Sequence, residues 1–509
     1  MPVLLDGESK DIVQIRAVAC LREEVLIPPE TAERINRSRR VVEDLVAEGR
    51  RVYGITTGFG KFADVSISLH ELQELQENLV RSHATGVGEP FSRDEVRAAM
   101  LLRANALAKG MSGIRLSVVE MLVQLLNRGV TPVVPRKGSV GASGDLSPLA
   151  HISLVLLGGG EAWCDFGARG PLPGNEALRA AGLQPITLEA KEGLALTNGV
   201  QMTAGVLALA VHDGSLLAKT ADIVAGMTGQ ALRCIPNAYD ERLIGVRPHV
   251  GARDVAWNLR KLLSGSDFTT RPGEIRVQDP YTIRCIPQVH GAVRQAISHV
   301  KSVVEIETGS ATDNPLVFPD GHVVSGGNFH GQPLAVAADY LGLALCSLAN
   351  ISERRIARLV SGSEGLPLFL TPEGGLNSGL MLVQYTAAAL ASECKVLAHP
   401  AGVDTVPTSA DQEDHVSMST IAARKAREIA LNVANVLAIE YFAAAQALEL
   451  RGEPDRLSPS TAAAVALLRS KVKVVTEDRE MAPDIATARE LVLSGELARA
   501  VEGVTGVLR

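Results

Sequence analysis

The chain has 509 residues, 46 % apolar and 21 % charged, a composition that excludes disordered, collagen-like and low-complexity classes. Only 3 % is aromatic, which favours close-packed helices over aromatic-rich strands. Lys plus Arg number 50 against 57 Asp plus Glu, a net charge of -7 without a basic stripe, so neither nucleic acid nor a membrane is an expected partner. The six cysteines are scattered without a CxxC pair, so no disulfide scaffold or zinc finger is expected. The first residues, MPVLLDGESKDIVQ, lack the basic-then-apolar order of a signal peptide, and the expected location is cytoplasmic.

In chain order, Val52 to Ile55 suits a short strand, followed by a Gly-rich turn from Thr56 to Gly60. Helices are expected at about 69–83, 93–109 and 114–128, the last two closed by Gly110 and Gly129. Thr131 to Pro135 is extended, because two prolines so close cannot sit inside a helix. Ser147 and Pro148 suit the N-cap and first position of a further helix. The uncharged stretch 193–211 contains Thr197, Asn198, Gln201 and Thr203 and is read as a buried core helix rather than a membrane span. Long Ala/Leu-rich segments follow at about 200–230, 288–308, 332–361, 378–398, 416–450, 460–472 and 482–500. The expected organisation is therefore a mixed N-terminal region, 1–193, and a mainly α long-helix bundle with C-terminal helices, 194–509. Polar, Gly-rich loops at 264–287, 312–331, 362–377 and 401–415 are where chemistry is expected.

Several common signatures are absent. Gly60-Lys61 is followed by Phe62 rather than Ser or Thr, and Ile55 stands where a P-loop needs its first glycine. No GxGxxG opens a helix after a strand, no HExxH or other metal-ligand spacing occurs among 11 histidines, and neither Ser112 nor Ser143 fits GxSxG. No metal is expected.

The decisive segment is Gly138 to His151, GSVGASGDLSPLAH. Ala142-Ser143-Gly144 has the small side chains a backbone needs to close on itself, with the Gly144 nitrogen attacking the Ala142 carbonyl. Loss of two waters, one of them from Ser143, leaves a five-membered imidazolone with an exocyclic methylene, a strong electrophile made from the chain alone.

In its context, this run resembles the signature of the ammonia-lyases that carry 4-methylidene-imidazol-5-one (MIO), a family that includes histidine, phenylalanine and tyrosine ammonia-lyases and related aminomutases. Further blocks resemble the family in order along the chain: YGITTGFG from Tyr53, LVRSHATGVG around His83, TNG at Asn198 and VQDPYTIRCIPQVHG from Val277. TDNPLVF around Asn314, SGGNFHGQP around Phe329 and ADQEDHVSM from Ala410 complete the series. The resemblance implies an aspartase/fumarase-like helical fold and a homotetramer with active sites shared between subunits. It also implies MIO formed autocatalytically from Ala142, Ser143 and Gly144, with no external cofactor.

It assigns roles residue by residue. Tyr53 is the base for the β-proton, and Arg284 clamps the carboxylate of a small amino-acid substrate. Asn198, Tyr281 and Gln278 hold the ring carbonyl, the carboxylate or the amine, and Phe329 packs on the MIO ring. His83, Met381, Gln412 and Glu413 line the side-chain pocket, with Glu413 and Tyr281 in the catalytic set.

Ser82-His83 and Gln412-Glu413 resemble the histidine-specific branch, since an imidazole can hydrogen-bond a buried carboxylate that a phenyl ring would leave unpaired. Asp411 departs from that pattern by adding charge beside the pocket. The expected reaction is elimination of ammonia from L-histidine to trans-urocanate, in histidine degradation. Alternatives are a phenylalanine or tyrosine ammonia-lyase or 2,3-aminomutase of the same family, a non-catalytic helical oligomer, and an aspartase/fumarase-type lyase without MIO.

Overall fold

The computed structural model describes residues 2–167 and 170–509. Helices dominate, and the longest are Gln201–Ala231, Ile286–Thr308, Gln332–Val360 and Ser419–Arg451, as the Ala/Leu-rich segments lead one to expect. The last of these is buried over most of its length, with Val433, Leu437, Tyr441 and Phe442 all at 0 % exposure. Gln332–Val360 and Ser419–Arg451 are long and apolar enough to cross a membrane by length and composition; 61 % and 78 % of their apolar windows are buried inside the protein, as in core helices.

Two compact units divide the chain, and neither is continuous in sequence. One comprises residues 1–212, 301–339 and 400–424; the other comprises 213–300, 340–399 and 425–509. The change of sequence character at residue 193 is not a boundary of these units.

In the first unit, Arg93–Ala108 starts on a capping box in which the Ser92 hydroxyl accepts from Glu95 N–H and the Glu95 carboxylate from Ser92 N–H. Gly110 and Gly129, at φ 71° and 66°, close the two helices where the sequence places them. The proline-rich stretch is extended: Val130–Pro132 pairs antiparallel with Glu161–Cys164, and Pro135–Lys137 pairs antiparallel with Val87–Pro90. A small apolar core of Val42, Leu45, Ile55, Leu72, Ala190 and Val317 underlies the segment from Val52. Helices Ile12–Leu21 and Pro29–Ala47 are additional to the expected ones; the second carries its buried apolar residues at Ile35, Val42 and Leu45, a helical spacing within an otherwise charged segment.

Four local expectations are corrected. Val52 to Ile55 is a turn, not a strand: Ile55 N–H bonds Val52 O, and Val52 N–H bonds the Thr56 hydroxyl. Ser147 is not an N-cap, because the helix begins earlier, at Leu146, and the buried Ser147 hydroxyl has no partner. The stretch 193–211 is buried throughout but is not one helix; it splits between Glu192–Thr197 and the helix starting at Gln201. Segment 482–500 divides at Ser494-Gly495, where Gly495 adopts φ 76°.

The second unit contains a buried, hydrogen-bonded polar cluster. Glu440 accepts from Arg355 at 2.6 and 2.8 Å, from Ser352 at 2.6 Å and from Thr228 at 2.8 Å. Asp222 accepts from Asn258 at 2.8 Å and Arg294 at 2.6 Å, and its other oxygen pairs with His290 at 2.7 Å.

Candidate active site

The tripeptide Ala142-Ser143-Gly144 sits on a sharp left-handed bend. Ser143 has φ 49° and Gly144 φ 82°, a conformation that costs a non-glycine residue about 1 kcal/mol or more. Only glycine fits at 144, because a Cβ there would lie 2.2 Å from the Gly199 carbonyl oxygen. That carbonyl accepts from Asp145 N–H at 2.6 Å, and Gly199 N–H donates to Ser143 O at 3.3 Å. The backbone of Asn198–Val200 thus leaves the helix to pair with the tripeptide, which is why 193–211 breaks.

Buried side chains hold this pairing in place. Arg103, fully enclosed, donates to Asn198 O and Gln201 Oε1, both at 2.7 Å, and to Ala195 O. Burial pushes its guanidinium down to about 10, still charged at neutral pH. On the other side, the Asp145 carboxylate accepts from Thr203 N–H, the Thr203 hydroxyl and the Thr420 hydroxyl, each at 2.7 Å. With its oxygens committed there, Asp145 does not cap its own helix by side chain.

Ser143 opens onto a cavity of about 630 Å³. Seven of the expected site residues line it: Tyr53, His83, Ser143, Asn198, Phe329, Gln412 and Glu413. The sequence reading missed Phe59, Leu79, Leu194, Asn314 and Ser409, although Phe59, Leu79 and Asn314 lie in recognised blocks. All of the lining belongs to the first unit, and among the described lining residues there is no lysine or arginine.

Glu413 faces Ser143, whose hydroxyl donates to Oε1 at 2.9 Å. Its Oε2 accepts from the Thr408 hydroxyl at 3.1 Å. The turn that presents it is tight: Ser409, Ala410 and Asp411 have φ 53°, 51° and 63°, and the backbones of Thr408 and Glu413 are bonded in both directions. Asp411 and Gln412 are solvent-exposed.

His83 ends helix Leu72–His83, with Nδ1 3.1 Å from the Ser82 hydroxyl. Burial lowers its pKa below the ordinary histidine value, against the pull of Glu413, so the ring is neutral at pH 7. Asn198 donates through Nδ2 to Asn314 O at 3.0 Å, while its buried Oδ1 has no partner.

Tyr53 departs from the expectation that its surroundings lower its pKa. Burial raises it, the Gly60 N–H bonded to Oη at 3.4 Å lowers it, and the Glu413 charge raises it again; the net direction is upward. Phe329 is half-buried, and the neighbouring His330 stacks on His415 with centroids 5.8 Å apart.

Gln278, Tyr281, Arg284 and Met381 belong to the second unit and are not among the residues lining the Ser143 cavity. The Arg284 guanidinium lies over the Tyr281 ring, 4.5 Å from its centroid, and Tyr281 is 70 % exposed. Gln278 and Arg284 line a separate cavity of about 360 Å³ with Asp279 and Cys285, and Arg284 Nε is buried without a partner. Met381 is the first residue of helix Met381–Leu397.

Among the described residues, no group of three or more His, Cys, Asp or Glu is placed to hold a metal ion. The tripeptide fits MIO on this structure's own terms: Ser143 and Gly144 are already bent, no Cβ is tolerated at 144, and Asn198 of the same cavity lining has a buried amide oxygen without a partner.

The family model for aromatic amino acid lyases matches residues 11–470. The chain belongs to that family. It is therefore a carbon–nitrogen lyase. A histidine ammonia-lyase of Symbiobacterium thermophilum is 56 % identical over 99 % of each chain. Among solved structures, the histidine ammonia-lyase of Trypanosoma cruzi is 42 % identical, with TM-score 0.92 over 99 % of this chain and 95 % of that one. The tyrosine aminomutase of Streptomyces globisporus is 38 % identical, with TM-score 0.95 over the whole of both chains. This aromatic amino acid lyase thus shares its fold with relatives of different named activities.

Proposed function

We propose that the enzyme eliminates ammonia from L-histidine to give trans-urocanate, using MIO formed from Ala142-Ser143-Gly144. The observation that carries the reading is Ser143, held in a left-handed bend at the wall of a cavity with Glu413 at 2.9 Å and His83 in the same lining. Fold alone does not choose the substrate, because an aminomutase superimposes as well as a histidine enzyme does. The polar pair His83 and Glu413, together with 54–56 % identity to histidine ammonia-lyases, favours histidine. Once Ser143 Oγ has been lost, a phenyl ring would leave Glu413 Oε1 without a partner in a half-buried pocket, whereas an imidazole nitrogen supplies one.

MIO supplies an electrophilic methylidene carbon that draws electrons from the substrate and makes its amine a better leaving group. The chain's own residues do the remaining work. Glu413 and His83 receive the imidazole, and Asn198 holds the ring carbonyl, the carboxylate or the amine. Tyr53 removes the β-proton, which requires its phenolate. Its own unit raises its pKa, so the lowering has to come from a cation outside the described lining.

Arg284 of the partner subunit is our candidate for that cation and for the two-pronged clamp on the carboxylate. A homotetramer with shared sites accounts for an anion-binding pocket whose lining has no Lys or Arg, and for the 70 % exposure of Tyr281 beside Arg284. The test is intact mass: the purified enzyme weighs two waters less than its sequence, with the deficit in the peptide containing Ser143. Ser143→Ala regains at least one water and loses almost all activity. A fully active preparation of unmodified mass overturns the reading.

A further inference from the structure

Before the tripeptide reacts, the Ser143 hydroxyl is already engaged. It donates to Glu413 Oε1 at 2.9 Å, and Glu413 is the one side chain hydrogen-bonded to it among the described residues. The carboxylate is fixed from behind, because Oε2 accepts from Thr408 at 3.1 Å and the three left-handed residues of the 409–411 turn leave the loop little freedom. Hydroxide is a poor leaving group, so breaking the Cβ–Oγ bond of a serine calls for a proton donor within hydrogen-bond reach of Oγ. Glu413 is in that position.

We propose that Glu413, acting in its protonated, carboxylic acid form, delivers the proton with which Ser143 Oγ departs as water, and so helps to make the electrophile before it ever meets substrate. The inference rests on the MIO reading above. Ring closure comes first: the Gly144 nitrogen bonds to the Ala142 carbonyl carbon, and the Ala142 oxygen leaves as the first water with the hydrogens of the Gly144 and Ser143 nitrogens, as a C=N bond forms to Ser143 N. In the second step the Ser143 Cα–H bond breaks and its electron pair forms the Cα=Cβ double bond as Cβ–Oγ breaks. Oγ leaves with its own hydrogen and a proton from Glu413, and the proton released from Cα restores the one Glu413 gave. One water is lost, and no oxidant or reductant is needed. Departure of Oγ also vacates Oε1, so the carboxylate oxygen that reads the imidazole becomes available only in the matured enzyme.

The experiment follows maturation by mass rather than by turnover. The full chain is synthesised in a cell-free system, translation is stopped, and intact mass is recorded over time. Wild type loses two waters. Glu413→Gln accumulates a species lacking one water, with the second loss slowed roughly a hundredfold or more.

Ser143→Cys combined with Glu413→Gln provides the control on folding. A thiol, with pKa about 8.5, leaves without a proton donor, so the double variant completes the elimination by losing hydrogen sulfide. If Glu413→Gln loses both waters at the wild-type rate, the inference is overturned while the MIO reading stands. If the double variant stalls where Ser143→Cys alone matures, Glu413 does not act on the leaving group and the inference is equally overturned. A wild-type chain that loses no water overturns the MIO reading itself.

Discussion

Glu413 stands between Ser143 and Thr408 with both carboxylate oxygens partnered, and this fixes what its removal should do to substrate choice. Glu413→Gln keeps size and hydrogen bonding but loses the charge, which costs about 1.5–3 kcal/mol, or roughly ten- to a hundredfold in the kcat/KM ratio of histidine over phenylalanine. The ratio is the right quantity, because an incompletely matured fraction cancels from it; an unchanged ratio removes Glu413 from side-chain recognition. Tyr53 gives a second expectation. The active form of a base is the deprotonated one, and its own surroundings hold the phenol up, so kcat/KM should climb with pH across the neutral range. Tyr53→Phe should lower turnover about 10²–10⁴-fold and abolish that rising limb. If the limb survives in Tyr53→Phe, it belongs to another group. Ser143, His83 and Glu413 were legible from sequence because their blocks are short and contiguous. The direction of the Tyr53 shift was not, since it depends on burial and on Glu413 some 360 positions away.

At the scale of elements, the long helices were legible because Ala/Leu density and capping glycines act locally. The break at Asn198–Val200 was not, because its cause lies elsewhere in the chain. Gly199 bonds the backbone of Ser143 and Asp145, and Arg103 gathers the carbonyls that the break exposes. The same reasoning explains Ser147: the helix start is set by Asp145, whose carboxylate is drawn to Thr203 and Thr420. Arg103→Met should therefore strand buried carbonyls of Ala195 and Asn198, at a cost of about 3 kcal/mol or more. A fall in the denaturant midpoint together with a reduced two-water mass deficit is the expected pair of results. A midpoint equal to wild type would mean that the junction holds itself.

For the whole molecule, the first unit gathers Ser143, Glu413, His83 and Asn198, while Gln278, Tyr281, Arg284 and Met381 belong to the second. If sites are shared between subunits, co-expressing Ser143→Ala with Arg284→Ile should yield mixed oligomers that regain activity neither variant has alone. Mixed preparations as inactive as their parents would argue that each chain builds its site unaided. The expectation that two sequence-distant sets serve one reaction rests on the family blocks alone, because no periodicity relates Tyr281 to Ser143. The central claim, histidine elimination, is tested most directly by kcat/KM for L-histidine, L-phenylalanine and L-tyrosine side by side on one preparation, with ammonia and the absorbance of the unsaturated product both recorded. Stoichiometric ammonia and urocanate are expected from histidine, with the other two substrates at least about tenfold poorer, the lower end of what a lost charge-assisted bond costs. Preference for phenylalanine or tyrosine, or a β-amino acid product without release of ammonia, would contradict it.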